Sequence, residues 1–151
     1  MTKFIQCVVL MVGTLQVFAA TAEDLNPDKP FADRHVLLQV SDRDPAKFSL
    51  TLDVANNLIR HYGGTDNIDV QIITFAGGVN MLTSPDTNPN SERIRSLMDS
   101  DVTFVVCLNS LDTIERKTGK RPVVLSGTKG VQTGVAHMLE KIHEGYIQIH
   151  P

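Results

Sequence analysis

The sequence predicts an α/β fold, a flavodoxin-like three-layer sandwich around a mainly parallel five-stranded sheet. Three observations carry this expectation. Five strand-like runs alternate with four segments of helical period, the pattern of repeated βαβ units. The strand runs are short and nearly continuously apolar, as expected of strands covered on both faces. Right-handed crossovers between such strands would place helices on both sides of the sheet.

Taken in order, Glu23 to Asp33 is polar, holds Pro27 and Pro30, and reads as an extended lead-in to a domain over 34–151. His35 to Val40 (HVLLQV) is the first strand run. Asp44-Pro45 then opens a helix, with aspartate as N-cap and proline at the first helical position, where an N–H has no intrahelical partner anyway. Phe48, Leu52, Ala55, Ile59 and Tyr62 recur at helical spacing, and Gly63-Gly64 closes the element. Asp69 to Phe75 reads as the second strand and ends in the glycine-bearing loop Ala76 to Asn80. Thr83 to Asn90 is rich in turn residues, after which Asn90 or Ser91 caps a helix through Ile94, Leu97 and Met98. Val102 to Cys107 (VTFVVC) is the third strand, and Asn109 or Ser110 starts a helix that ends near Gly119. Val123 to Leu125 is the expected fourth strand. Val131, Val135, Leu139 and Ile142 mark one face of a last helix closed by Gly145, and Tyr146 to Ile149 is the terminal strand.

Residues 1–22 read as a cleaved signal peptide. Lys3 supplies the positive start, Phe4 to Ala19 the apolar segment, and Ala20-Thr21-Ala22 the small-x-small cleavage pattern. A membrane anchor would need about 20 uninterrupted apolar residues, whereas Gln6 and Gln16 interrupt this run. A lipoprotein would carry its cysteine after the apolar segment, but Cys7 lies near its start. The expected setting is therefore periplasmic or secreted, with no membrane span after cleavage. Removing 22 residues from 151 leaves 129, with Cys107 as the one cysteine.

Composition narrows the function classes. A chain of 151 residues holds one ordinary domain. A formal charge of −3, with basic residues scattered among acidic ones, excludes a phosphate-backbone partner. Two cysteines cannot form a disulfide framework or a four-thiolate zinc site. His137 and His143 stand six apart on a helix and point in different directions, so no metal site is expected, nor any cofactor. Asp112 and Glu115 read as a solvated helix face, and no serine-hydrolase signature is present.

In an open parallel sheet, ligands bind beyond the carboxyl ends of the strands where strand order reverses, in a flavodoxin-like order between the first and third strands. The loops expected there are Ser41-Asp42-Arg43-Asp44 and Cys107-Leu108-Asn109-Ser110. Cys107 would end a buried strand just before a helix N terminus, where backbone N–H groups and the helix dipole favour a reactive thiolate. Arg43 would reinforce that if it reached across. A buried structural cysteine is the alternative, since free cysteine is among the most buried residue types. Gly77 and Gly78 offer further N–H groups at the same edge but lack dinucleotide-site spacing, and Ser126 to Gly130 reads as a tight turn rather than a phosphate loop.

Several stretches, in order, carry a family resemblance. They are Val40-Ser41-Asp42 with Asp44-Pro45 and Asn57; Asp69 to Leu82 (DVQIITFAGGVNML); Phe104 to Ser110 (FVVCLNS); Gly134-Val135-Ala136; and Glu144 to Pro151 (EGYIQIHP). Over His35 to Pro151 the chain resembles the DsrE/DsrF-like family, in particular its small exported members, while Thr113 to Lys129 departs from the family pattern. The resemblance implies a flavodoxin-like sandwich and a homo-oligomer, trimer or hexamer. It also implies a sulfur relay in which a cysteine at the position of Cys107 carries a persulfide between a donor and an acceptor protein. Asn109, Ser110 and the Gly77-Gly78 loop would then hydrogen-bond the anionic sulfur, with Ser41, Asp42 and Arg43 on the facing loop. A non-catalytic oligomeric module that binds a small anion or a protein partner is the competing expectation.

Overall fold

A computed structural model describes Asn26 and residues 29–151; the expected signal peptide lies outside the described residues. Five strands form one all-parallel sheet: β1 (Arg34–Val40), β2 (Ile68–Thr74), β3 (Thr103–Cys107), β4 (Lys129–Val131) and β5 (Ile147–Ile149). Their order across the sheet is β4-β3-β2-β1-β5. The helices are α1 (Pro45–His61), α2 (Ser91–Met98), α3 (Leu108–Thr118) and α4 (Gly134–His143), with a 3-10 helix over Ala76–Leu82. The α/β, flavodoxin-like three-layer expectation is met.

Period-two alternation along the strands decides what each face buries. Val36, Leu38, Val40, Val70, Ile72, Phe104 and Val106 pack against Phe48, Leu52 and Ala55 of α1, Ile94 and Leu97 of α2, and Leu111 of α3. Leu37, Ile73 and Val105 face the other way, against Met138 of α4 and Tyr146. Among the described residues, three helices thus cover one face and a single ten-residue helix covers the other. The handedness of crossovers explains this division. The steps β1 to β2, β2 to β3 and β3 to β4 run in one direction, so α1, α2 and α3 share a face. The return from β4 to β5 runs the opposite way, which sends α4 to the other face.

Helix ends follow local chemistry. The Asp44 side chain caps α1 by accepting from the Ala46 N–H at 2.9 Å, with Pro45 at the first position. Gly119 ends α3 in the left-handed conformation (φ 75°) that glycine adopts without a Cβ penalty.

Four expectations are corrected. The fourth strand is Lys129–Val131, not Val123 to Leu125. After Pro122, Val123 is exposed, Val124 makes only an isolated antiparallel bridge with Thr83, and Leu125 drops into the core before the chain turns at Gly127 (φ 87°). Because of this shift, Lys129 and Gly130 belong to a strand paired with β3, not to the expected tight turn. The reversal of strand order is not between the first and third strands, because β2 lies between them. It falls between β3 and β4, whose following helices leave to opposite faces. Residues 29–32 are not an extended lead-in. They form a turn, with the Ala32 N–H donating to Lys29 O at 3.1 Å, while Lys29 is buried and its Nζ donates to Ile68 O at 3.4 Å.

The α4 face of the sheet carries a polar chain instead of a purely apolar layer. Buried Tyr146 donates its hydroxyl to Asp69 Oδ2, which also accepts from Asn26 Nδ2 at 3.0 Å. Gln71 Nε2 donates to the Tyr146 hydroxyl at 3.1 Å, and His137 Nε2 lies 3.4 Å from Gln71 Oε1. The His35 ring packs edge-on against Tyr146. Burial, followed by the Asp69 carboxylate beside it, pushes the Tyr146 phenol well above its ordinary range. His35 lies below its usual value of 6.5 through burial, against the opposing pull of Asp69 and Asp33. His137 is lowered by burial and then by Lys129 and Lys141, against Glu140 and Glu144.

A pH dependence follows. The unfolded chain protonates these imidazoles near 6.5 while the folded chain resists, so the unfolded state binds more protons as pH falls. Stability is fully present above about 6.5 and declines below it. Urea midpoints at pH 7.5 and 5.5 should show that decline, and the double variant His35→Gln, His137→Gln should reduce it. An equal decline in the variant would assign the acid sensitivity to other groups.

Candidate functional site

Cys107 ends β3 and is the N-cap residue of α3, with extended backbone (φ −76°, ψ 113°). Strand alternation turns its side chain to the α4 face, where Gly134, the first residue of α4, packs on it. A Cβ placed on Gly134 would lie 3.1 Å from the Cys107 Cβ and 3.4 Å from the Phe75 Cβ. Cys107 is 5% exposed, and its thiol donates to Gln132 O at 3.7 Å. Only the protonated sulfur can make that bond.

Above the sulfur lies a cleft of about 540 Å³ between the carboxyl ends of the strands and the N termini of α3 and α4. Arg43, Gly77, Cys107, Asn109 and Ser110, all expected at a site, line it together. Asn109 donates through Nδ2 to Thr133 Oγ1 at 3.0 Å and accepts from Gln132 Nε2, while its backbone N–H donates to Gln132 O at 3.1 Å. These bonds tie α3 to the entry of α4. Ser110 Oγ accepts from the Ala76 N–H at 2.9 Å. That bond secures a residue held at φ 48°, a conformation uncommon outside glycine.

Three expected site residues serve elsewhere. Asp42 pairs with Lys47, and His150 Nε2 stands 3.8 Å away, so its carboxylate is occupied at the β5 side of the edge. The hydrogen bond from Lys47 holds that carboxyl below its ordinary value. Ser41 contributes its backbone, with its carbonyl accepting from Gly78 N–H at 3.0 Å. Gly78 N–H also donates to Phe75 O at 2.9 Å and is therefore already engaged. The glycines are required for close approach instead: a Cβ on Gly78 would sit 2.0 Å from Val40 O, and one on Gly77 would sit 3.0 Å from Arg43 N.

Sequence reasoning missed Phe75, Thr113, Ile114, Lys117, Thr133 and Val135, which complete the cleft. Asn109, Ser110, Thr113, Ile114 and Lys117 follow three- and four-residue spacing along α3, a pattern that helix geometry places on one face. Thr133 and Val135 were illegible, because the strand that leads to them was expected several residues earlier. No Asp or Glu lines the cleft, and neither Arg43 nor Lys117 forms an ion pair among the described residues. Unlike these two, Arg121 carries Asp112 and Glu115 on the outer side of α3. The cleft is thus electropositive around a mostly apolar floor.

No protein-family profile matches the chain, and no curated protein matches it. Among solved structures, the chain is similar to MTH1491 of Methanobacterium thermoautotrophicum, itself described as a protein of unknown function. The two are 23% identical, with a TM-score of 0.68, over 79% of this chain and 100% of that one. At that identity the likeness establishes the shared α/β fold.

Proposed function

We propose that the protein is an exported DsrE/DsrF-like sulfur carrier that relays sulfane sulfur through a persulfide on Cys107. The observation that carries this reading is the position of the sulfur: it lies at the base of an electropositive cleft, beside the N terminus of α3, at the strand-order reversal. In the transfer, the Cys107 thiolate attacks the terminal sulfur of a donor persulfide. A new Sγ–S bond forms, the donor S–S bond breaks, and the donor thiolate leaves with the electron pair. No net oxidation occurs. An acceptor thiolate then removes the sulfur by the same exchange and restores Cys107. A homo-oligomer belongs to the proposal, and the exposed apolar stripe of Val135, Leu139 and Ile142 on α4 supports it.

Intact-mass analysis after incubation with thiosulfate or polysulfide should show a gain of one sulfur atom that reductant removes and Cys107→Ser abolishes. No adduct with any sulfane donor, inorganic or an organic persulfide, or an adduct that persists in Cys107→Ser, would overturn the carrier reading. The second reading, a non-catalytic binding module, draws on the near-complete burial of Cys107 and its bond to Gln132 O. It expects native Cys107 to resist iodoacetamide, whereas the carrier reading expects alkylation at a measurable rate.

A further inference from the structure

We infer that the cleft above Cys107 is built for an extended, anionic organic sulfur donor the size of a small peptide persulfide, not for an inorganic one. The inference rests on the sulfur-carrier reading for its chemistry but on separate features for its shape. Cys107 and Lys117 both line the cleft and lie at opposite ends of α3. Ten residues of helical rise separate their Cα atoms by about 15 Å. Lysine leans back toward the helix N terminus by up to a turn, which leaves roughly 10 Å between sulfur and ammonium. Thiosulfate is a single tetrahedral unit, shorter than one helical turn of about 5.4 Å, and cannot touch both.

The walls between those ends fit an organic body. Phe75, Ile114 and Val135 supply apolar surface, while the Thr113 hydroxyl is engaged within α3, donating to Asn109 O and accepting from Arg116. The volume of about 540 Å³ falls within the range of roughly 300–1,000 Å³ that encloses small organic ligands. Arg43 enters from the loop after β1, its backbone seated against Gly77. Among the described residues the two cations are without carboxylate partners, and no acidic residue lines the cleft. A donor with carboxylates several bonds from its sulfur satisfies both cations while its sulfur reaches Cys107. With glutathione persulfide as such a donor, the Cys107 Sγ–S bond forms as the glutathione S–S bond breaks. Glutathione thiolate departs with the electron pair and takes a proton from solvent.

The test compares two donors on the full mature chain. Persulfidation of Cys107 is timed by intact mass with glutathione persulfide and with thiosulfate, in wild type and in Lys117→Glu. The expected result is a loss with the glutathione donor at least ten-fold greater than the loss with thiosulfate, expressed mainly in KM. Equal losses with both donors, or none with either, would overturn the inference. Calorimetric binding of S-methylglutathione, which cannot donate sulfur, separates this inference from the carrier reading. Binding that Lys117→Glu weakens ten-fold or more, with no persulfidation by any donor, would uphold the cleft's ligand class while sinking the relay. Persulfidation by thiosulfate without S-methylglutathione binding would uphold the relay and sink the ligand class.

Discussion

Gly78→Ala is expected to destabilise the protein by about 3 kcal/mol or more, a large effect for the addition of one methyl group. The cause is backbone geometry, not lost conformational freedom. The new Cβ would lie 2.0 Å from Val40 O and 2.5 Å from Val40 C, and neither atom can withdraw. Val40 O accepts from Phe75 N–H at 3.1 Å, so moving it breaks the bond that closes the sheet edge below the 3-10 helix. Gly78 itself is held by two hydrogen bonds, to Ser41 O and Phe75 O. Relief must come from displacing the whole segment 76–82, whose Val79, Met81 and Leu82 are buried. Urea unfolding should report a lowered midpoint with an unchanged slope. A loss under about 1 kcal/mol would show that the segment can shift freely and that the floor of the cleft is softer than its contacts indicate. Gly77→Ala meets looser neighbours, at 3.0 Å and beyond, and should cost less.

Phe104→Ala should destabilise the protein by about 3–5 kcal/mol, the range for truncating a fully buried aromatic ring. Phe104 is 1% exposed and lies on the face of β3 covered by α1, α2 and α3, paired in register with Ile72 of β2. Its ring fills the thicker of the two layers, and a central strand pinned on both sides cannot collapse into the void. Phe104→Leu retains most of the volume and should lose only about 1.5 kcal/mol or less. Equilibrium unfolding of the two variants in parallel checks the grading. Near-equal losses would mean that shape, not volume, limits this core.

Much of the fold was legible because its signals are local. Asp44-Pro45 specifies a helix start through one side chain and one missing N–H, and that cap forms as expected. The run to Cys107 announces a buried strand through five residues, and Gly119 announces the end of α3. The fourth strand was misread because Val123 and Val124 have strand-like composition, while Lys129–Val131 has almost none. What makes the latter a strand is the open edge of β3, whose groups pair Val105 with Lys129 and Cys107 with Val131. A partner across space is not encoded in three residues.

The candidate site divides the same way. Cys107 at a strand end before a helix, and its proximity to Arg43, Gly77, Asn109 and Ser110, follow from chain order plus the rule that parallel strands align their carboxyl ends. The roles of the glycines do not follow. Gly78 reads as a donor of N–H groups but serves as a gap for Val40 O. Asp42 reads as a site carboxylate but is claimed by Lys47, five residues on.

From local periodicity and capping alone, the sequence determined the α/β class, the alternation of strands with helices, the parallel sheet, and the place of Cys107 at its carboxyl edge. Only the tertiary structure decided the strand order, the single helix on the second face, and the far wall of the cleft with Lys117 at its end. The reason is that helix period and caps act within a few residues, whereas strand neighbours, crossover direction and cleft walls are set by contacts between segments distant in the chain.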